Sequence, residues 1–139
     1  MKYLCVLFLF VSASVFPQNR FTVSGGTVRD NVTGLVWQAE DNGKKYNHAE
    51  ALRYCETLSH AGFSDWLLPS VKQLSSLVDR GRADPAADPI LKMASGWYWS
   101  STAFAPDSGK AWFVDFHDGF VGGDVRTSDA RARCVRSGK

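Results

Sequence analysis

Two cysteines, Cys55 and Cys134, constrain this chain more than any other feature, because a bridge between them closes a loop of roughly 80 residues. In the chain-entropy model such a closure is worth about 4 to 5 kcal/mol as an upper figure. That is a large share of the stability of a small domain. Whether two thiols pair depends on the redox compartment, and the first residues of the chain speak to that.

Met1 to Asn19 carry one positive charge at Lys2, then the apolar run from Tyr3 to Val11, then the small residues Ser12, Ala13 and Ser14. That order is the order of a secretory signal. The apolar run is about half of the roughly 20 residues a helix needs to cross a bilayer, so a cleaved signal over residues 1–16 is expected rather than a permanent anchor. The third cysteine, Cys5, falls inside that run and leaves with it. An exported location follows as the expectation: periplasm, cell surface or medium. The two remaining cysteines most simply form one disulfide there.

Residues 20–139 are about 120 residues, enough for one core and too few for two ordinary domains. Without Lys2 the basic count falls from 16 to 15 against 14 acidic residues, a net charge of +1. A near-neutral domain gives no general argument for nucleic acid as a partner. Basic residues nevertheless crowd the C-terminus at Arg126, Arg131, Arg133, Arg136 and Lys139.

Local signals predict the elements. Asn31-Val32-Thr33-Gly34 supplies turn residues between Thr27-Val28-Arg29 and Leu35-Val36-Trp37, a hairpin. Asn47 followed by Glu50 makes a capping box, with Leu52, Cys55 and Leu58 on one face and Gly62 as the stop. Ser70 and Gln73 repeat that box ahead of a second short helix carrying Leu74 and Leu77. Residues 80–96 read as a long irregular loop of functional interest. Strands follow at Tyr98–Ser101, Ala111–His117, Phe120–Arg126 and Ala132–Arg136, as a meander whose central turn is Asp118-Gly119. Alternation places Trp112, Val114 and Phe116 on the core face and Phe113, Asp115 and His117 on the other. Helices grouped between strands, rather than alternating with them, indicate an α+β domain.

The ordered signposts Gly26-Thr27-Val28-Arg29-Asp30, Thr33-Gly34-Leu35-Val36-Trp37, Ala51-Leu52-Arg53-Tyr54-Cys55, Trp66-Leu67-Leu68-Pro69-Ser70, Trp99-Ser100-Ser101 and Arg133-Cys134-Val135-Arg136 resemble the Lcl C-terminal domain family. The resemblance runs from about Gly26 to Arg136. It implies a C-type-lectin-like fold related to the formylglycine-generating group: two short helices packed on antiparallel strands with long loops. It also implies a bridge from a helix cysteine to one near the final strand, where Cys55 and Cys134 stand. The family usually has an arginine after the tryptophan of the Trp66 motif. Leu67 stands there instead, so the buried ion pair implied by the family is not expected. Exported domains of this family occur in adhesins and envelope proteins, which implies a glycan or a surface protein as partner.

Residue types then narrow the function. His48, His60 and His117 belong to no metal-binding helix or paired-cysteine zinc pattern, and both mature cysteines are better used as a bridge than as a redox pair. Calcium triplets of the C-type lectins are missing, and Asp84, Asp88 and Asp107 sit among turn formers. No metal and no cofactor are therefore expected. Aromatic rings offer flat stacking surfaces. Tyr98, Phe113 and Phe120 with Asp115, His117 and Arg126 form the candidate ligand site, and Arg131, Arg133 and Arg136 a weaker anion site. A non-enzymatic binding module is the leading expectation. An enzyme whose groups meet only in space and a structural envelope protein are the alternatives.

Overall fold

The computed structural model describes Tyr3, residues 5–12 and residues 19–139. Lys2, the small residues 13–14 and the cleavage region of the expected signal lie outside the described residues. Among the described residues no helix is long and apolar enough to cross a membrane.

The chain is α+β, with two antiparallel sheets, few short helices and one disulfide. Strands β1 (Phe21–Ser24), β2 (Thr27–Asp30) and β3 (Leu35–Gln38) come first. Helices α1 (His48–Glu56) and α2 (Val71–Ser75) and a single 3-10 turn (Pro89–Leu91) follow. Then come β4 (Trp97–Ala103), β5 (Lys110–Asp115), β6 (Phe120–Val125) and β7 (Val135–Ser137). One sheet has the order β1-β2-β3-β7 and the other β4-β5-β6.

The 27–38 hairpin forms as expected, and Gly34 takes the positive φ of +76° that its turn requires. Both capping boxes are present: Asn47 accepts from the Glu50 amide and Ser70 from the Gln73 amide, with Glu50 and Gln73 answering back to the caps. Helix α1 ends at Glu56 with Thr57 as its C-cap, five residues before Gly62, and the Thr57 hydroxyl donates to Arg53 O in the last turn. Its buried face is His48, Ala51 and Cys55, with Leu52 and Leu58 only half-buried.

Three sequence expectations change. The last strand is shorter than Ala132–Arg136 and leaves the meander: β7 pairs with β3 through Val36↔Arg136 and Trp37↔Val135, a non-local match that local patterning does not reveal. The turn after β5 has four residues, Phe116–Gly119, and only Gly119 has positive φ; the Asp118 side chain caps the Phe120 amide instead. Residues 80–96 are anchored rather than loose, since Ala86, Ala87, Leu91 and Met93 are core residues.

Two cores result, one on each face of the β4-β5-β6 sheet. Tyr98, Val114 and Phe116 point to the first, with Leu74 of α2, Leu77 just after it, and Val28, Trp37 and Val135 from the other sheet. Trp99, Ala111 and Phe113 point to the second, with Ala51 and Cys55 of α1 and with Trp66, Leu68 and Cys134. The Cys55–Cys134 bridge joins α1 to the segment entering β7 across 79 residues, and both cysteines are fully buried.

Candidate functional site

The structure sorts the sequence-based candidates into two groups. Tyr98 is fully buried in the first core, not exposed: its hydroxyl donates to Asp41 and accepts from the Ala94 amide. Arg133 is equally buried. Its guanidinium donates to the carbonyls of Gln38 (3.2 Å), Leu91 (2.7 Å) and Lys92 (3.2 Å) and lies 3.8 Å from Asp41. Burial draws Arg133 below its ordinary pKa, opposed by Tyr98 and Asp41. Arg131 reaches the Gly43 carbonyl and stands 4.0 Å from Asp41. Arg136 forms a two-point pair with Asp65, at 2.7 and 3.1 Å, and lies over the Phe63 ring. The three arginines of the anion site are therefore dispersed and each is engaged within the fold.

Arg126 is separated from the rest of the ligand set by the full length of the β5-β6 hairpin, because it follows the Lys110↔Val125 end while His117 follows the Asp115↔Phe120 end. Phe113 is also a core residue, 4 % exposed, since this sheet is covered on both faces and not on one.

Phe113, Asp115 and Phe120 do gather, around a residue outside the expected set. Trp97 pairs with Asp115 across β4-β5, and Asp115 pairs with Phe120 across β5-β6, so the three stand in one cross-strand row on one face. The Trp97 ring stacks on Phe113 with centroids 4.2 Å apart and planes 18° apart, and Phe120 leans on Phe113 from the other side at 6.1 Å. Trp97 is 40 % and Phe120 58 % exposed. The row thus has a buried aromatic floor and two rings open to solvent. Gly122 makes this possible: a Cβ there would lie 2.7 Å from the Phe120 ring and 3.2 Å from Phe113. Alternation within Trp97-Tyr98-Trp99 was the available signal, because putting Tyr98 in the core puts Trp97 on the face of Phe113.

Trp97 also borders a depression of about 270 Å³ lined by Lys45, Ser95, Asp129 and Arg131. Around the corner, His117 Nδ1 lies 3.1 Å from Ser95 Oγ and 3.4 Å from Asp84 Oδ1. Hydrogen bonds from Ser95 and His117 hold the Asp84 carboxyl below its usual range. Both oxygen partners address the same ring nitrogen. A serine nucleophile activated by histidine needs hydroxyl and carboxylate on opposite nitrogens. Asp84 and His117 are besides more than half exposed. Asp88 caps the 3-10 turn and Asp107 the turn before β5, which accounts for two of the three aspartates weighed as calcium ligands. Among the described residues no group of His, Cys, Asp or Glu is placed to hold a metal ion.

Against protein families, the model of the Lcl C-terminal domain matches residues 26–136. The chain belongs to the Lcl C-terminal domain family. Within this Lcl C-terminal domain lie the β4-β6 sheet, the disulfide and every residue of the aromatic row. No curated protein matches the chain significantly.

Proposed function

We propose that this Lcl C-terminal domain is an exported, non-enzymatic binding module that takes a glycan, or a surface protein presenting similar chemistry, on the Trp97–Asp115–Phe120 row. The open row carries the reading: two exposed rings on a buried aromatic floor, with a carboxylate between them. Ring faces take the apolar C–H face of a sugar or an interface side chain, and Asp115 accepts hydroxyl hydrogens. Its Oδ1 holds the His117 amide at 2.9 Å, which fixes the carboxylate in place. The exposed Ser95–His117–Asp84 group lacks relay geometry, which favours binding over the hydrolytic alternative.

Export is supported by the charged, apolar, small-residue order of the first residues and by the buried disulfide. A C-type-lectin-like assignment is supported by the return of β7 beside β3 and by the bridge from α1 to the approach of β7.

A glycan array combined with pull-down from envelope extracts tests the reading. Trp97→Ala or Phe120→Ala is expected to weaken the selected ligand about 30-fold, the effect of an aromatic hot spot. A ligand that binds both variants as well as the parent chain sinks the proposal.

A further inference from the structure

Strand β6 is an edge of its sheet, and its backbone accounting is unusual. Residue 109 bonds to residue 126 through Arg126 N–H to Gly109 O, and Gly119 N–H bonds to Asp115 O. With the Lys110↔Val125 to Asp115↔Phe120 register, alternation turns the amides and carbonyls of Phe120, Gly122 and Asp124 toward β5 and those of Val121, Gly123 and Val125 away from it. Val125 is satisfied locally: its N–H donates to Asp124 Oδ1 and its C=O accepts from Ser128 N–H. Val121 and Gly123 have no hydrogen-bond partner among the described residues, so two donors and two acceptors face solvent from one edge.

We propose that this edge pairs with the β6 edge of a second copy of the chain, antiparallel, about a two-fold axis through Gly122. In that register Val121 faces the partner's Gly123 and Gly123 faces the partner's Val121. Each copy supplies two N–H and two C=O groups, which makes four hydrogen bonds and uses every free group on the edge. The ladder ends on both sides where Val125 and Gly119 are already bonded within their own chain. Gly122 sits against the partner's Gly122 in the close, non-hydrogen-bonded position, with no side chain of its own and with the Phe120 ring of its own chain lying over it.

Charge complementarity selects a second copy over an arbitrary peptide. Asp118, in the turn before β6, and Arg126, just past its end, lie four residues before and four residues after Gly122, so the two-fold axis brings each Arg126 to the same end of the paired edge as the partner's Asp118. Neither residue has an ion-pair partner among the described residues: Arg126 donates only to the Lys110 carbonyl at 3.3 Å, and Asp118 accepts only the Phe120 amide. A like-charged arrangement does not arise, because Asp124 falls opposite the partner's Phe120. That last pairing has a consequence for the site. The row Trp97–Asp115–Phe120 continues into the partner's Asp124 on the same face, so the second copy adds a carboxylate to each aromatic row and places two rows on one six-stranded sheet. Only this consequence rests on the proposed binding function; the pairing itself rests on backbone register and charge.

Sedimentation velocity of the chain recovered from expressing cells, from micromolar to submillimolar concentration and without ligand, tests the pairing. Twice the chain mass is expected at the upper end. Val121→Pro removes an outward donor at no cost to the β5-β6 ladder and is expected to leave a single-chain mass. Arg126→Glu and Asp118→Lys are each expected to raise the dissociation constant about tenfold, and together to restore it. These two keep the test valid should the proline variant fail to fold, which circular dichroism reports. A single-chain mass at every concentration overturns the proposal, as does pairing that survives Val121→Pro or a double charge variant no better than the single ones. A dimer that selects no glycan or protein counts against the binding function and leaves the pairing intact.

Discussion

Tyr98 and Trp97 are neighbours on β4, and each meets a carboxylate, yet they belong to two different kinds of cluster. Tyr98, Asp41 and Arg133 are packed inside, with the phenol, the carboxylate and the guanidinium bonded to one another or to main-chain carbonyls. Trp97, Asp115 and Phe120 are stacked on the outer margin of the same sheet with two rings open to solvent. The ingredients are nearly the same. What separates the clusters is the face of the strand, since on one face Tyr98 meets the loop that carries Asp41, while on the other the cover of the second core leaves Trp97 and Phe120 exposed. The buried cluster is thereby committed to holding the fold, and the open row keeps contact capacity that the fold does not consume.

Removing Arg133 strikes the buried cluster hardest. Arg133→Ala leaves three main-chain carbonyls and the Asp41 carboxylate short of a donor, an expected loss of about 3–5 kcal/mol in chemical denaturation. A loss under 1 kcal/mol would erase the distinction between the clusters. Replacing both Cys55 and Cys134, the latter next to Arg133 in the chain, with alanine is expected to cost about 2–5 kcal/mol by the same measurement.

Tyr98→Phe deletes one hydroxyl and strands the Ala94 amide and part of Asp41, about 1–3 kcal/mol. The same hydroxyl gives a pH signature. Burial, followed by the hydrogen bond and charge of Asp41, pushes the Tyr98 phenol up to about 12 from the ordinary 10. Because the folded value lies above the unfolded one, the contribution is intact below pH 10 and is lost as pH rises from 10 toward 12. Denaturation midpoints of the parent chain should fall across that window, and Tyr98→Phe should lack that component of the fall. At the small end, Phe120→Ala is expected to change stability by less than about 1 kcal/mol, because the ring is mostly in water. A larger loss would move Phe120 into the structural class.

The locally encoded parts of this fold were legible in its sequence. Both capping boxes and the Gly34 turn form where the residues call for them, since each depends on contacts within four residues. Strand β1 leaves no clear signal in the sequence because Phe21–Ser24 is four residues with a single buried side chain, too short for alternation to register. The place of β7 beside β3 depends on a match across about a hundred residues, to which period and propensity are blind. Phe113 was misplaced by the assumption of a one-sided sheet, while a second core covers the other face. Arg133 was misread for a related reason: a C-terminal arginine is ordinarily solvated, and only the fold reveals carbonyls from three segments converging on it.

The position of β7 also sets a clock. Strand β3 gains its second neighbour only from Val135–Ser137, and Cys55 gains its bond only from Cys134. A chain emerging from its N-terminal end therefore carries an incomplete sheet, and from residue 55 onward an unmated thiol, until residues 134–137 have been made. Contacts of such long range also make folding slow. A domain built this way completes its first sheet and its covalent link only when its last residues have arrived.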